Sequence, residues 1–145
     1  MTAMLLLGVF GAAFLSATLL FGVSEAALLV AAAQQDARLL PLFLAATAGN
    51  VTGAIVNFVL GRFLLRFENR RWFPVGPENR SRAQTLFERF GRPVLLFSWL
   101  PLIGDPLTLA AGLLRMPFSV FFVYVTIGKA ARYAALLWGY DLVTR

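Results

Sequence analysis

Apolar residues fill four long stretches of this chain, and in two of them a single acid interrupts the run directly after a turn-forming cluster. Residues 1 to 35 hold one formal charge, Glu25, after Phe21-Gly22-Val23-Ser24. Residues 39 to 61 hold none. Residues 93 to 114 hold only Asp105, after Pro101-Leu102-Ile103-Gly104, and residues 117 to 140 hold Lys129 and Arg132. A helix of about 20 apolar residues crosses a hydrocarbon core of about 30 Å, so 39 to 61 and 117 to 140 read as two full spans. Residues 3 to 33 are too many for one upright span and too few for two with a connection, so they predict a re-entrant helical hairpin. Its limbs would run from about residue 5 to 20 and from 25 to 33, around a turn at Gly22 to Ser24. Residues 93 to 114 predict a second hairpin, broken at Pro101, Gly104 and Pro106. Such breaks are tolerable at membrane depth only where the backbone is buried in protein or lines water.

The two halves follow one order: hairpin, acid after the turn, full span. Residues 16–33 align with 98–113, and Gly49-Asn50 follows Glu25 at nearly the interval by which Gly128-Lys129 follows Asp105. The pattern predicts an all-α integral membrane protein of two inverted repeats, 3–62 and 93–141, within one membrane domain. On that topology the first hairpin opens from the outer face, the second from the cytoplasmic face, and both termini lie outside.

Composition supports a membrane protein: 59% of 145 residues are hydrophobic, more than a small soluble domain carries. No Lys or Arg precedes Arg38, so residues 1 to 33 lack the basic start of a secretory signal and are expected to remain in the mature protein. The net charge of +6 is concentrated in residues 62 to 92, where Arg62, Arg66, Arg70, Arg71, Arg80, Arg82, Arg89 and Arg92 face Glu68, Glu78 and Glu88. The positive-inside rule places that loop, 63–92, in the cytoplasm, and its neighbours would be anionic lipid headgroups rather than nucleic acid. Asn79 or Ser81 would cap a short amphipathic helix ending near Phe90, lying along the interface with Leu86, Phe87 and Phe90 on its apolar face.

Ionisable groups at bilayer depth cost a few kcal/mol, roughly, and usually serve a function. Glu25 and Asp105 are therefore candidate stations on a substrate or proton path. Lys129 and Arg132, three residues apart on one helical face, are their natural counter-charges, as a static pair or as a site for an anionic headgroup. Ser98, Asn50 and Asn57 add polar atoms nearby. Gly49, Gly53 and Gly61 recur on one face of the first span, and with Gly112 read as close helix packing. The chain has no His and no Cys, which removes disulfides, thiolate chemistry and the usual nucleophile-base and His-metal constellations. No catalytic residue, metal or cofactor is expected.

The motifs around these residues resemble a family. Residues 14–25, then Gly49-Asn50 with Gly53, Asn57 and Gly61-Arg62, then Ser98-Trp99-Leu100-Pro101, Gly104-Asp105, Ala111-Gly112, Arg115-Met116 and Gly128-Lys129-Ala130-Ala131-Arg132-Tyr133 are similar to the small, YqaA-like branch of the DedA membrane proteins. These are also called SNARE-associated Golgi or VTT-domain proteins. The resemblance covers nearly the whole chain. It implies two oppositely oriented re-entrant hairpins, a bacterial inner-membrane location, and movement of a phospholipid or polyprenyl-phosphate-type lipid between leaflets, linked in some members to the proton-motive force. By position, Glu25 matches the family's hairpin acid, and Pro101, Ala111-Gly112 and Met116 its second-hairpin signature. Typical members carry Arg three residues before and three after the second-hairpin Pro, where this chain has Ser98 and Gly104; the first-turn Pro is Phe21. Lys129 and Arg132 are expected to supply the missing positive charge. The leading expectation is a lipid flippase or scramblase. A small-ion or cationic-drug transporter and a non-transporting assembly protein are the alternatives, and the glycine faces would also suit a homodimer.

Overall fold

The computed structural model describes residues 2–18, 22–34, 37–72, 76–100 and 103–144. Among the described residues six α-helices follow one another: α1 (Ala3–Thr18), α2 (Val23–Ala32), α3 (Leu39–Leu64), α4 (Pro77–Phe90), α5 (Gly104–Leu113) and α6 (Phe118–Thr144). A 3-10 turn, Leu65–Phe67, extends α3, and an eight-residue 3-10 helix, Arg92–Trp99, precedes α5. No strand occurs among the described residues. At 1.5 Å per residue α3 and α6 are each about 40 Å long, enough to cross a bilayer, whereas α2 and α5 reach only about 15 Å. Two helices are thus candidate membrane spans. Their outward faces carry exposed Leu40, Leu44, Val59, Phe63, Phe122, Val123, Ile127 and Trp138, an apolar surface suited to lipid.

Local sequence explains the boundaries. Gly22 precedes α2 in the left-handed region, at φ 81°, which costs glycine nothing. Pro77 opens α4 where a missing N–H is harmless, so that helix starts ahead of the Asn79 or Ser81 expected as its cap. Residues 92 to 99 depart from the expected α-helical limb. Gly91, at φ 68°, stops α4, Pro93 lies in the first turn of the next segment, and residues 92 to 99 wind as a 3-10 helix.

Close approach to α3 organises the rest. α1 lies along it through Gly49, where an added Cβ would strike the Phe10 carbonyl, and Gly53, where it would come 2.6 Å from Ala17 Cβ. Gly61 faces the Leu109 carbonyl of α5, and Gly112 of α5 reciprocally faces the Phe58 carbonyl of α3. Gly128 of α6 seats against the Leu96 carbonyl of the 3-10 helix. All five contacts bring neighbouring segments to distances only glycine permits.

α3 and α6 pack antiparallel, each showing the other a ladder of every fourth residue. On α3 the rungs are Leu42, Ala46, Asn50, Ala54 and Phe58; on α6 they are Leu137, Tyr133, Lys129, Val125 and Phe121. Leu42, Ala46, Tyr133 and Leu137 join Val9, Ala13 and Leu28 in one apolar cluster. Ala54, Phe58, Phe121 and Val125 join Leu95 and Ala111 in a second, with the Phe58 and Phe121 rings stacked at 4.3 Å. Asn50 and Lys129, each the twelfth residue of its helix, form a polar layer between the two clusters. α4 buries no residue fully, but half-buries Leu86 and Phe87 and leaves Phe90 exposed.

Candidate functional site

The polar layer is built outward from Lys129, which is 3% exposed and therefore needs partners to remain charged. Its Nζ donates to Asn50 Oδ1. The Asn50 amide in turn donates to the Tyr133 hydroxyl at 2.9 Å and the Ala13 carbonyl at 3.1 Å, tying α3 to α6 and α1. Tyr133 stands one helical turn beyond Lys129, fully buried, with Ser24 of α2 as a polar neighbour. The Ser24 hydroxyl donates to Glu25 Oε2 at 3.1 Å, and Glu25 Oε1 forms an ion pair with Arg132 Nη2. The second Arg132 amino group donates to the Trp99 carbonyl at 2.8 Å. Polar groups therefore extend from Lys129 past Tyr133 and Ser24 to the Glu25–Arg132 pair.

Asp105, in the first turn of α5, lies across from Lys129, close enough for attraction though not for an ion pair. Both line a cavity of about 20 Å³ together with Ser16, Asn50, Ser98, Gly22 and Arg132. That is room for about one water molecule. The Ser98 hydroxyl is buried there and makes no hydrogen bond among the described residues. The structure thus brings together Glu25, Asp105, Lys129, Arg132, Ser98 and Asn50. It sets Asn57 one layer away, donating to the Ala17 carbonyl at the end of α1 at 2.9 Å and reaching Thr108 at 3.4 Å.

The turn residues divide. Gly22 caps α2 and Ser24 lies in its first turn; Gly104 and Pro106 lie in the first turn of α5, where proline's lost N–H costs no helical bond. Gly104 packs on the Ser98 carbonyl, fixing the 3-10 helix beside α5. Pro101 lies outside the described residues. The sequence reading quoted Tyr133 only within the family motif and gave it no role, although its place four residues after Lys129 puts it on the same helical face. It gave none to Trp99 either, whose contribution is a backbone carbonyl that no side-chain pattern reveals.

Arg132 has two environments. It closes the small polar cavity on one side, and on the other it borders a groove of about 470 Å³ lined by Glu25, Trp99, Ala131, Ala135 and Leu136. Apart from the ion pair that groove is apolar. The described residues include no cluster of acids able to hold a metal.

The VTT-domain family profile matches residues 2–140. The chain belongs to the VTT-domain, or DedA, family. Among VTT-domain relatives, the inner membrane protein YqaA of Escherichia coli K12 is 37% identical over 134 residues, covering 92% of this chain and 89% of that protein. YqaA of Shigella flexneri matches equally. An uncharacterized protein of Haemophilus influenzae is 35% identical over 136 residues, covering 89% of this chain and 83% of its own length. No solved structure matches. Family membership and the two apolar spans make this VTT-domain chain an inner-membrane protein.

Proposed function

We propose that this VTT-domain protein is a lipid translocase, carrying the polar headgroup of a phospholipid or polyprenyl-phosphate-type lipid between leaflets while the tails stay in the bilayer. Arg132 is the observation that carries the reading. One guanidinium stands between a polar cavity at mid-helix depth and an apolar groove wide enough for acyl chain, held there by Glu25. A phosphate entering along the groove would compete with Glu25 for Arg132, since both are acceptors for the same bidentate fork. The next cation inward is Lys129, with Asp105 opposite.

The short helices supply the architecture. α2 and α5 each begin with an acid in the first turn and are too short to cross alone, which supports two re-entrant hairpins meeting near the centre. The contact of Asn50 with Lys129, corresponding positions of the two halves, supports an inverted repeat whose axis passes between them. Carboxylates that meet first one face and then the other would also let proton movement drive the headgroup. Transport is proposed instead of catalysis, because the cluster offers cations and carboxylates but no activated nucleophile.

The test is headgroup exposure in proteoliposomes, using a fluorescent phospholipid and a membrane-impermeant quencher. Wild-type protein should equilibrate both leaflets at least tenfold faster than empty vesicles, and Glu25→Gln or Asp105→Asn should abolish the gain. Ion flux without lipid movement would instead identify a small-ion transporter. Absence of both would leave an assembly protein.

A further inference from the structure

A second cationic site lies away from this path, at the end of α3. Arg62, Leu65, Arg66 and Arg115 surround a pocket of about 290 Å³, and no carboxylate lines it. Three like charges around one pocket repel, and Arg62 and Arg66, four apart on one helical face, do so directly. The fold nevertheless holds them in place. Arg62 Nη2 donates to the Met116 carbonyl at 2.7 Å, and its guanidinium lies 5.2 Å from the Phe58 ring centroid. Arg66 lies 5.7 Å from the Phe63 ring centroid. Arg115 has φ 56° and is the one described non-glycine residue with positive φ. It occupies the position after α5 where helices usually place glycine, with Met116 N–H bonded back to the Ala111 carbonyl. A side chain is therefore kept where the backbone favours none, and it is an exposed arginine facing two others.

The surroundings indicate depth. Phe63 meets Phe67 edge-on at 5.6 Å and Phe67 meets Trp72 tilted at 5.2 Å, with Trp72 exposed, as aromatic residues are at a headgroup boundary. The reciprocal glycine contacts of α3 and α5 bring Arg62 and Arg115, one from each half of the chain, to the same end. An anion at that end would cancel the repulsion and bridge the halves.

We propose that Arg62, Arg66 and Arg115 bind the phosphate of an anionic membrane lipid in the leaflet beside the Arg-rich loop, clamping α3 to the α5–α6 connection. The site is independent of the translocation reading. The purified full chain in detergent would be titrated with dioctanoyl-phosphatidylglycerol, following the melting temperature, with dioctanoylglycerol and inorganic phosphate as separate arms. Arg66→Gln with Arg115→Gly, which suits the left-handed backbone, should weaken phosphatidylglycerol binding about tenfold or more, the loss of two charge-assisted contacts. Arg71→Gln with Arg89→Gln removes the same charge elsewhere and should leave binding within about twofold of wild type. Arg66→Gln alone should weaken binding about threefold, and it serves if the double variant does not fold. Unchanged affinity in a folded Arg66→Gln or double variant overturns the proposal, as does equal weakening by the loop pair. Inorganic phosphate binding as tightly as the lipid overturns a membrane ligand.

Discussion

The first half of the chain, α1 to α3, and the second, from the 3-10 helix to α6, share a framework and differ in chemistry. In each, a segment lies along the long helix and packs against a glycine in it: Gly49 on α1, Gly128 on the 3-10 helix. In each, a ten-residue helix opens with an acid. The residue after the packing glycine is where they part. The first half places neutral Asn50 there, the second Lys129, and Arg132 is also on the second half's span. Both acids are therefore answered by α6, Glu25 by Arg132 and Asp105 by Lys129. A framework can repeat while its charge does not, and here the second long helix is the charged member and the first its hydrogen-bonding partner.

The largest test of that asymmetry is to empty α6 of its buried cation. Lys129→Ala takes the attracting charge away from half-buried Asp105, leaves Asn50 Oδ1 without its donor and empties a packed space, and should destabilise the protein by about 2–4 kcal/mol. Thermal unfolding in detergent reads this. Lys129→Ala combined with Asp105→Asn removes both charges and should recover part of the loss, because the carboxylate then no longer stands without its attracting charge. A double variant no better than Lys129→Ala would show that the two residues are not coupled.

The shared framework is tested at the glycines. Gly49→Ala and Gly128→Ala should each cost about 1–3 kcal/mol, since the Cβ would meet a carbonyl oxygen of a neighbouring backbone that cannot turn away. Gly8→Ala and Gly139→Ala meet nothing within 4 Å and should be neutral, or stabilise by up to about 1 kcal/mol through helix propensity. If Gly128→Ala behaved like Gly139→Ala, the correspondence between the halves would be lost.

The helices were legible because lipid and glycine write plainly. A charge-free run marked α3, an apolar run broken only by Lys129 and Arg132 marked α6, and Gly22 and Asp105 marked where α2 and α5 begin, since a long apolar surface and a left-handed residue leave few options. The 3-10 winding of residues 92 to 99 was not legible: apolar content does not distinguish it from an α-helix. The clustering of Glu25, Asp105, Lys129 and Arg132 followed from their cost in lipid, but which acid meets which cation depends on helix rotation. Asn50 as the acceptor for Lys129 needed the antiparallel register of α3 and α6, fixed by contacts more than 70 residues apart in sequence.

The smallest expected effect concerns Asn57, about two turns along α3 from Asn50. Seven residues beyond Asn50 stands Asn57, and seven beyond Lys129 stands Leu136. Asn57 satisfies the Ala17 carbonyl at the end of α1, an acceptor that the helix itself leaves open. Leu136 instead lines the apolar groove beside Arg132. Asn57→Leu copies the second half into the first and should cost about 1 kcal/mol, the net worth of a hydrogen bond at a half-buried site. It should leave lipid movement in proteoliposomes unchanged, because Asn57 lies outside the cavity that joins Asp105, Lys129 and Arg132. A loss of lipid movement with no loss of stability would extend the polar path to Asn57, and would make the first long helix more than a partner to the second.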